Sequence, residues 1–261
     1  MTTSITNGLS ERSRRLLSPI LALGIWKILS LIVDRSVILP SPEETVVELL
    51  RIAGSGEFLA VIGATFLRVL ISFLLALGAA LATGILAGLS KPVEDLFTAP
   101  VTTMRAAPTM GVVLIALIWL DSEGAPLLVV SLVTFPILYA AVVAGIHGID
   151  EQLLEMHEVF RIGFAQRLRH FYLPSLVPHL KAGIAAALGL NVKVMIAAEV
   201  LSQPRRGIGT MFQIERAQLN TPGLFAWCAI VVVLAYLLDQ LLTRLAPQYA
   251  PKALRRRGRE V

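Results

Sequence analysis

Between Val61 and Leu89 the chain carries one charged residue, Arg68, in an otherwise apolar run. A helix needs about 20 such residues to cross a bilayer, and in lipid each backbone polar group must be satisfied within the helix itself. The rest of the chain has the same character. Of its 261 residues 56% are hydrophobic and 16% charged, and the mean hydropathy is +0.74. Six crossings and their short loops leave no room for a separate soluble domain, so the expected class is an all-α integral membrane protein.

Hydropathy places the spans at Leu16 to Val33, Val61 to Leu89, Ala99 to Leu120, Pro126 to Ile146, Ala182 to Leu201 and Gly223 to Leu245. The first contains Pro19 and Lys27; it has the basic flank of a signal peptide but no small-residue cleavage site, and is read as a membrane helix. Arg68 sits near one end of the second span, where its stem can snorkel. Lys and Arg in the loops predict both termini on the cytoplasmic side of the inner membrane. That makes 147–181 the one long internal cytoplasmic loop. The resulting division is a cytoplasmic tail over 1–15, a first span with an external amphipathic segment over 16–60, a core over 61–245, and a basic cytoplasmic tail over 246–261.

Several classes of function fall away. The single cysteine, Cys228, allows neither an intrachain disulfide nor a cysteine metal cluster. His147, His157, His170 and His179 are spaced too widely for a compact ligand motif, so no metal is expected. The net charge of +5 is concentrated in Arg12, Arg14, Arg15 and Arg255, Arg256, Arg257, Arg259, which flank apolar segments and suit lipid headgroups rather than nucleic acid. No G-x-x-x-x-G-K-[ST] loop is present, so the chain cannot hydrolyse ATP by itself.

Within the spans, Ala76, Ala80, Gly84 and Gly88 recur every four residues, and Gly183/Ala187 and Ala185/Gly189 repeat the pattern, as in helices that approach closely. This stripe serves either packing within one bundle or a dimer seam. Pro136 removes a backbone donor from the fourth span. Arg105, before Ala106-Ala107-Pro108, lies either at a membrane boundary or along a path. Lys193 and Glu199 lie within the fifth span on different helical faces, so each needs another partner or water. After the first span, Ser41 as N-cap, Pro42 and Glu44 form a capping box, and Val46, Val47, Leu49 and Leu50 give an interfacial helix one apolar face.

In the cytoplasmic loop Leu153, Met156, Phe160 and Phe164 fall at helical spacing, Gly163 permits a turn, and Leu168, Phe171 and Tyr172 resume the pattern before Pro174 and Pro178 stop it. A helix, glycine turn and helix can dock into a soluble partner or lie on the lipid surface. The segment resembles the EAA loop of binding-protein-dependent ABC importer permeases. Setting the family glycine on Gly163 puts Leu173-Pro174 on its L-P and His157-Glu158-Val159 on its E-A-A triplet, with His157 in place of the usual acidic residue and Glu158 one position later.

The likeness extends from about Val37 to Leu245. Ile38-Leu39-Pro40-Ser41-Pro42, Arg68-Val69-Leu70, Met104-Arg105-Ala106-Ala107-Pro108 and Ala197-Ala198-Glu199 through Gly207-Ile208-Gly209 are similar to the nitrate, sulfonate and taurine branch. The resemblance implies a six-helix type I importer domain, a non-catalytic permease that carries a small polar or anionic organic solute, of the sulfonate, nitrate and taurine kind or of the thiamine-precursor kind. It implies a cytoplasmic ABC ATPase dimer holding ATP and Mg, a second permease copy and an external solute-binding protein, with no cofactor on this chain. The ATPase contact falls on His157, Glu158, Val159, Phe160, Arg161, Gly163, Leu173 and Pro174. The path candidates are Arg105, Pro108, Lys193 and Glu199, and the binding-protein candidates are Ser41, Glu44, Arg205, Arg206, Gly207 and Gly209. The competing reading is a secondary transporter driven by an ion gradient, which predicts internal repeats and a midplane ion site.

Overall fold

The structure, a computed structural model, describes residues 11–149, 166 and 168–245. Among these it is helical: α1 Glu11–Val33, α2 Pro42–Ala53, α3 Phe58–Leu89, α4 Lys91–Ala106, α5 Thr109–Trp119, α6 Gly124–His147, a π-helical turn Leu168–Tyr172, α7 Leu173–Ser202, α8 Ile208–Ala217 and α9 Thr221–Leu245. They fall into two compact units. One joins the described residues up to Ala60 with Met211–Val232, and the other joins Val61–Thr210 with those from Val233 onward.

In the first unit α2 begins as expected. Glu44 N–H donates to Ser41 Oγ (3.2 Å) and Ser41 N–H to Glu44 Oε2 (2.8 Å), so the capping box is complete. Val46, Val47 and Leu50 are exposed along the apolar face of α2. The charge inside the first apolar run has a partner, because Lys27 Nζ lies 2.8 Å from Glu43. Trp26 donates to the carbonyl of Pro40 (3.0 Å) and stacks on Phe225. Asn220 Nδ2 donates to both Glu48 and Glu215, each at 2.7 Å.

In the second unit α6 runs through the core with α3 on one side and α7 on another. A Cβ on Gly84 would meet Val142 at 2.9 Å, and one on Gly183 would lie 2.5 Å from Ala141 Cβ. The small-residue stripe of α3 therefore serves packing within the chain, with Ala76 and Ala80 buried against Leu138 and Tyr139. In the middle of this bundle Ser72 donates to Asn191 Oδ1 (3.3 Å), and Ser131 donates to the carbonyl of Ser72 (3.1 Å).

Three expectations are corrected. The third span is not one helix, since α4 and α5 meet at a bend of 102°. Pro108 lacks an N–H and forces the residue before it out of helical geometry; Ala107 takes φ −64°, ψ 131°. Pro174 and Pro178 do not delay the fifth span, because α7 starts at Leu173 and runs through Pro178. Pro174 occupies the first turn, where no intrahelical N–H is needed. Arg68 does not snorkel, because it is 7% exposed and pairs with carboxylates inside the unit.

Among the described residues four helices, α3, α6, the α7 helix with its preceding turn, and α9, are long and apolar enough to cross a membrane, and the broken α4–α5 pair makes a fifth candidate. The apolar part of α1, Ile20–Val33, is about 21 Å long at 1.5 Å per residue, short of a bilayer core of about 30 Å.

Candidate functional site

The densest polar cluster of the second unit centres on Arg68. Glu199 lies in the last turn of α7, and the chain then reverses through Gln203, in left-handed geometry at φ 49°, and Pro204 into the N-terminus of α8. Arg68 Nη1 lies 2.6 Å from Glu199 Oε1. Its Nε and Nη2 reach Glu123 Oε2 at 3.0 and 2.7 Å, and Nη2 also donates to the carbonyl of Arg206 (2.7 Å).

The second oxygen of Glu199 accepts from Thr65 Oγ1 (2.9 Å) and from Gly209 N–H (3.0 Å), while Thr65 Oγ1 itself accepts from Ile208 N–H (2.9 Å). Those two amides open α8, so a fully buried carboxylate and a hydroxyl satisfy helix donors that have no partner inside the helix. Glu123 Oε1 accepts from Arg205 N–H (2.9 Å). One guanidinium thus holds two carboxylates, and through them the whole turn from Arg205 to Gly209.

Glycine is required in that turn by space. A Cβ on Gly207 would stand 2.7 Å from Glu199 Oε2, and one on Gly209 would stand 2.5 Å from both Glu199 Cβ and the carbonyl of Ile196. Arg205 and Arg206 turn their side chains outward and are exposed, whereas Gly207 and Gly209 are buried. Ser41 and Glu44 belong to the first unit and bind each other through the capping box. The carboxyl of Glu44 is held below the usual range by the hydroxyl of Ser36, then by the Ser41 N–H.

Arg105 ends α4 just before the break at Pro108. Its Nη2 donates to the carbonyl of Pro136 (3.1 Å), halfway along α6, and among the described residues no carboxylate lies within 4.0 Å of it. It lines a cavity of about 350 Å³ between α4 and α6. The side chains of α4 that share its exposed face are polar: Asp95, Thr98 and Thr102. Lys193 is exposed on α7, on the side opposite Ala187 and Asn191, and forms no salt bridge among the described residues. Of the ATPase-contact candidates, Leu173 and Pro174 are exposed at the start of α7. His157, Glu158, Val159, Phe160, Arg161 and Gly163 lie outside the described residues.

Thr65, Arg68 and Glu123 did not stand out in the sequence as members of one site. The available signal was a lone cation and a lone anion in two separate apolar runs, each of which needs a countercharge at membrane depth.

Residues 80–250 match the family described as binding-protein-dependent transport system inner membrane component. The chain belongs to that family. It is 28% identical to the putative aliphatic sulfonates transport permease protein SsuC of Bacillus subtilis over 87% of this chain and 83% of that one. It is 25% identical to the taurine transport system permease protein TauC of Escherichia coli over 87% and 84%. The fold is similar to a crystal structure of an amino acid ABC transporter with histidines, at TM-score 0.60 and 14% identity over 72% of this chain and 92% of that one. Membership makes the chain a multi-pass membrane permease of the ABC importer type, working with a solute-binding protein and an ATPase. The gradient-driven alternative finds no support among these relatives.

Proposed function

We propose that two copies of this chain form the path of an importer for a small sulfonate-type or similar polar anion, with both termini cytoplasmic. One observation carries the choice of an anion. The buried Glu199 is paired with Arg68, which also holds the half-exposed Glu123, while Arg105 and Lys193 are exposed cations with no carboxylate partner among the described residues. Fixed positive charge on a path concentrates anions. The names of the sulfonate and taurine permeases support the same class.

Energy comes from a separate ATPase dimer, which holds ATP and Mg. Its docking surface is the loop of His157, Glu158, Val159, Phe160, Arg161 and Gly163, together with Leu173 and Pro174. Closure of that dimer moves the loop, and the helices on either side of it, α6 and α7, carry the shift into the bundle because they pack closely along each other. Arg105, Pro108, Lys193 and Glu199 belong to the path or its support. Candidates for meeting the solute-binding protein are Ser41 and Glu44 in the first unit and, in the second, Arg205 and Arg206, presented by the turn that the buried Gly207 and Gly209 permit; lipid headgroups meet the basic tails.

The test is capture of the tagged protein from native membranes in mild detergent, followed by mass spectrometry, for the wild type and Gly163→Asp. An ATPase with a phosphate-binding loop accompanies the wild type and is lost in the variant. If no ATPase is captured while other membrane complexes survive the same conditions, the importer reading falls. Uptake of labelled taurine and ethanesulfonate by cells with and without the gene tests the solute class.

A further inference from the structure

The cavity between α4 and α6 contains a buried donor that no described residue binds. Tyr139 lines it and is 6% exposed, its ring is held by Phe97 and Phe135, and its hydroxyl has no hydrogen-bond partner among the described residues. Buried hydroxyls are ordinarily paired, and an unpaired one is costly. Arg105 lines the same cavity with one of its five donors engaged, by the Pro136 carbonyl. Two donors, one of them a permanent cation, therefore face a space of about 350 Å³, at the small end of the range for small-molecule sites.

Apart from His147, whose imidazole lies 3.9 Å from Glu94, the remaining polar lining is of the opposite kind. Thr98 and Thr102 give their hydroxyl protons to the carbonyls of Glu94 (2.9 Å) and Thr98 (2.7 Å), so each presents only oxygen lone pairs to the cavity. The carboxylate of Glu94, at the end near His147, is held by Lys91 at 3.1 Å. A cation and an O–H donor thus stand beside a row of acceptors on one helix face.

We infer that this cavity is a recognition site within the permease for a small solute that carries one oxyanion group and one hydrogen-bond donor. The oxyanion takes Arg105 and the Tyr139 hydroxyl, and the donor, an ammonium or hydroxyl a few bonds away, takes Thr98 or Thr102. The inference rests on the proposed anion-import function and adds that the permease, as well as the binding protein, reads the solute.

The test uses the purified full-length chain in phosphatidylcholine nanodiscs, with taurine and ethanesulfonate as probes and matched sodium chloride as control. Taurine raises Tm saturably, with a half-saturating concentration about fivefold below that of ethanesulfonate, the effect of about one hydrogen bond. Arg105→Gln raises that concentration at least about tenfold, and Arg105→Lys less, as expected for loss of a charge-assisted bond. Tyr139→Phe keeps the ring contacts and the ligand-free Tm, yet weakens the taurine response about fivefold.

A wild type with no saturable response, equal half-saturation for the two probes, or responses unchanged in Arg105→Gln and Tyr139→Phe overturns the inference. So does a Tm rise that needs added phosphatidylglycerol and ignores taurine, which would make this a lipid-phosphate site. Cellular uptake separates the two readings. If cells import taurine or ethanesulfonate through the chain and the variants match the wild type in uptake half-saturation, only the cavity assignment fails. If the chain imports neither probe, the proposed solute class fails independently.

Discussion

Arg68 Nη1 and Glu199 Oε1 stand 2.6 Å apart although 131 residues separate them in the chain. The pair joins α3 to the end of α7, and its other bonds fix the start of α8. Three interrupted segments thereby become one rigid corner, with no charge of the pair left facing lipid.

Breaking such a pair from one side costs more than removing both partners, since the survivor is a buried charge. Arg68→Gln is expected to lose about 3–5 kcal/mol, because it strands the fully buried Glu199 and also releases the half-exposed Glu123. Glu199→Gln loses less, since Arg68 keeps Glu123. The double variant loses less than the sum of the two. Equilibrium unfolding in mixed micelles measures all three, and simple additivity would sink the account.

Sequence and structure agree where the signal is local. The capping box of Ser41 and Glu44 is a matter of three residues, and the apolar runs of α3, α6 and α9 mark themselves by length and hydropathy. The bend between α4 and α5 was written in Pro108, but the apolar run of α5 carries a hydropathy average back across the mixed end of α4, so the two read as one span. The Arg68 cluster was illegible for a different reason. Its members come from α3, from the residue preceding α6, from α7 and from the start of α8, and no periodicity links them. What the sequence offered was Glu199, a carboxylate within a span that needs a partner, and Arg68, a cation whose position allows snorkelling, and neither points to the other.

Glycine substitutions divide by space. Gly209→Ala places a methyl 2.5 Å from Glu199 Cβ and 2.6 Å from the Val200 nitrogen, rigid neighbours that cannot yield cheaply. Overpacking of this kind costs about 1–3 kcal/mol. Gly189→Ala meets nothing within 4 Å on an exposed face of α7 and is expected to be neutral or to gain up to about 1 kcal/mol from helix propensity. Equal effects in the same unfolding assay would contradict the geometry.

Glu48 supplies a pH dependence in the first unit. Hydrogen bonds from Arg51 first, then Asn220, hold its carboxyl below the usual range, against the opposing effect of burial. The folded state therefore binds the proton more weakly than the unfolded chain. The stabilisation is complete above the ordinary Glu value of about 4.3 and is lost as pH falls through the lower folded value. Glu48→Gln should cost about 0.2–1 kcal/mol near neutral pH, the scale of a partly exposed ion pair, and nothing at low pH. A difference from wild type that does not shrink between pH 7 and pH 3 would show that the carboxylate is not the source.

Lys193 decides whether the exposed face of α7 meets water or lipid. An uncompensated lysine at the bilayer centre costs about 2.5–3.5 kcal/mol on insertion scales, so its exposure within the span is explained most economically by an aqueous path. Single cysteines on a Cys228→Ala background distinguish the two environments, because methanethiosulfonates react with the thiolate and need water to form it. A charged, impermeant reagent should label Lys193→Cys at least about tenfold faster than Ala187→Cys, which is buried in the core cluster with Ala76, Leu138 and Tyr139. Added taurine or ethanesulfonate should slow the reaction at position 193 if the solute passes there. Labelling of Lys193→Cys no faster than that of Ala187→Cys would put position 193 away from water and remove it from the path, leaving Arg105 as the cation on which anion selectivity rests.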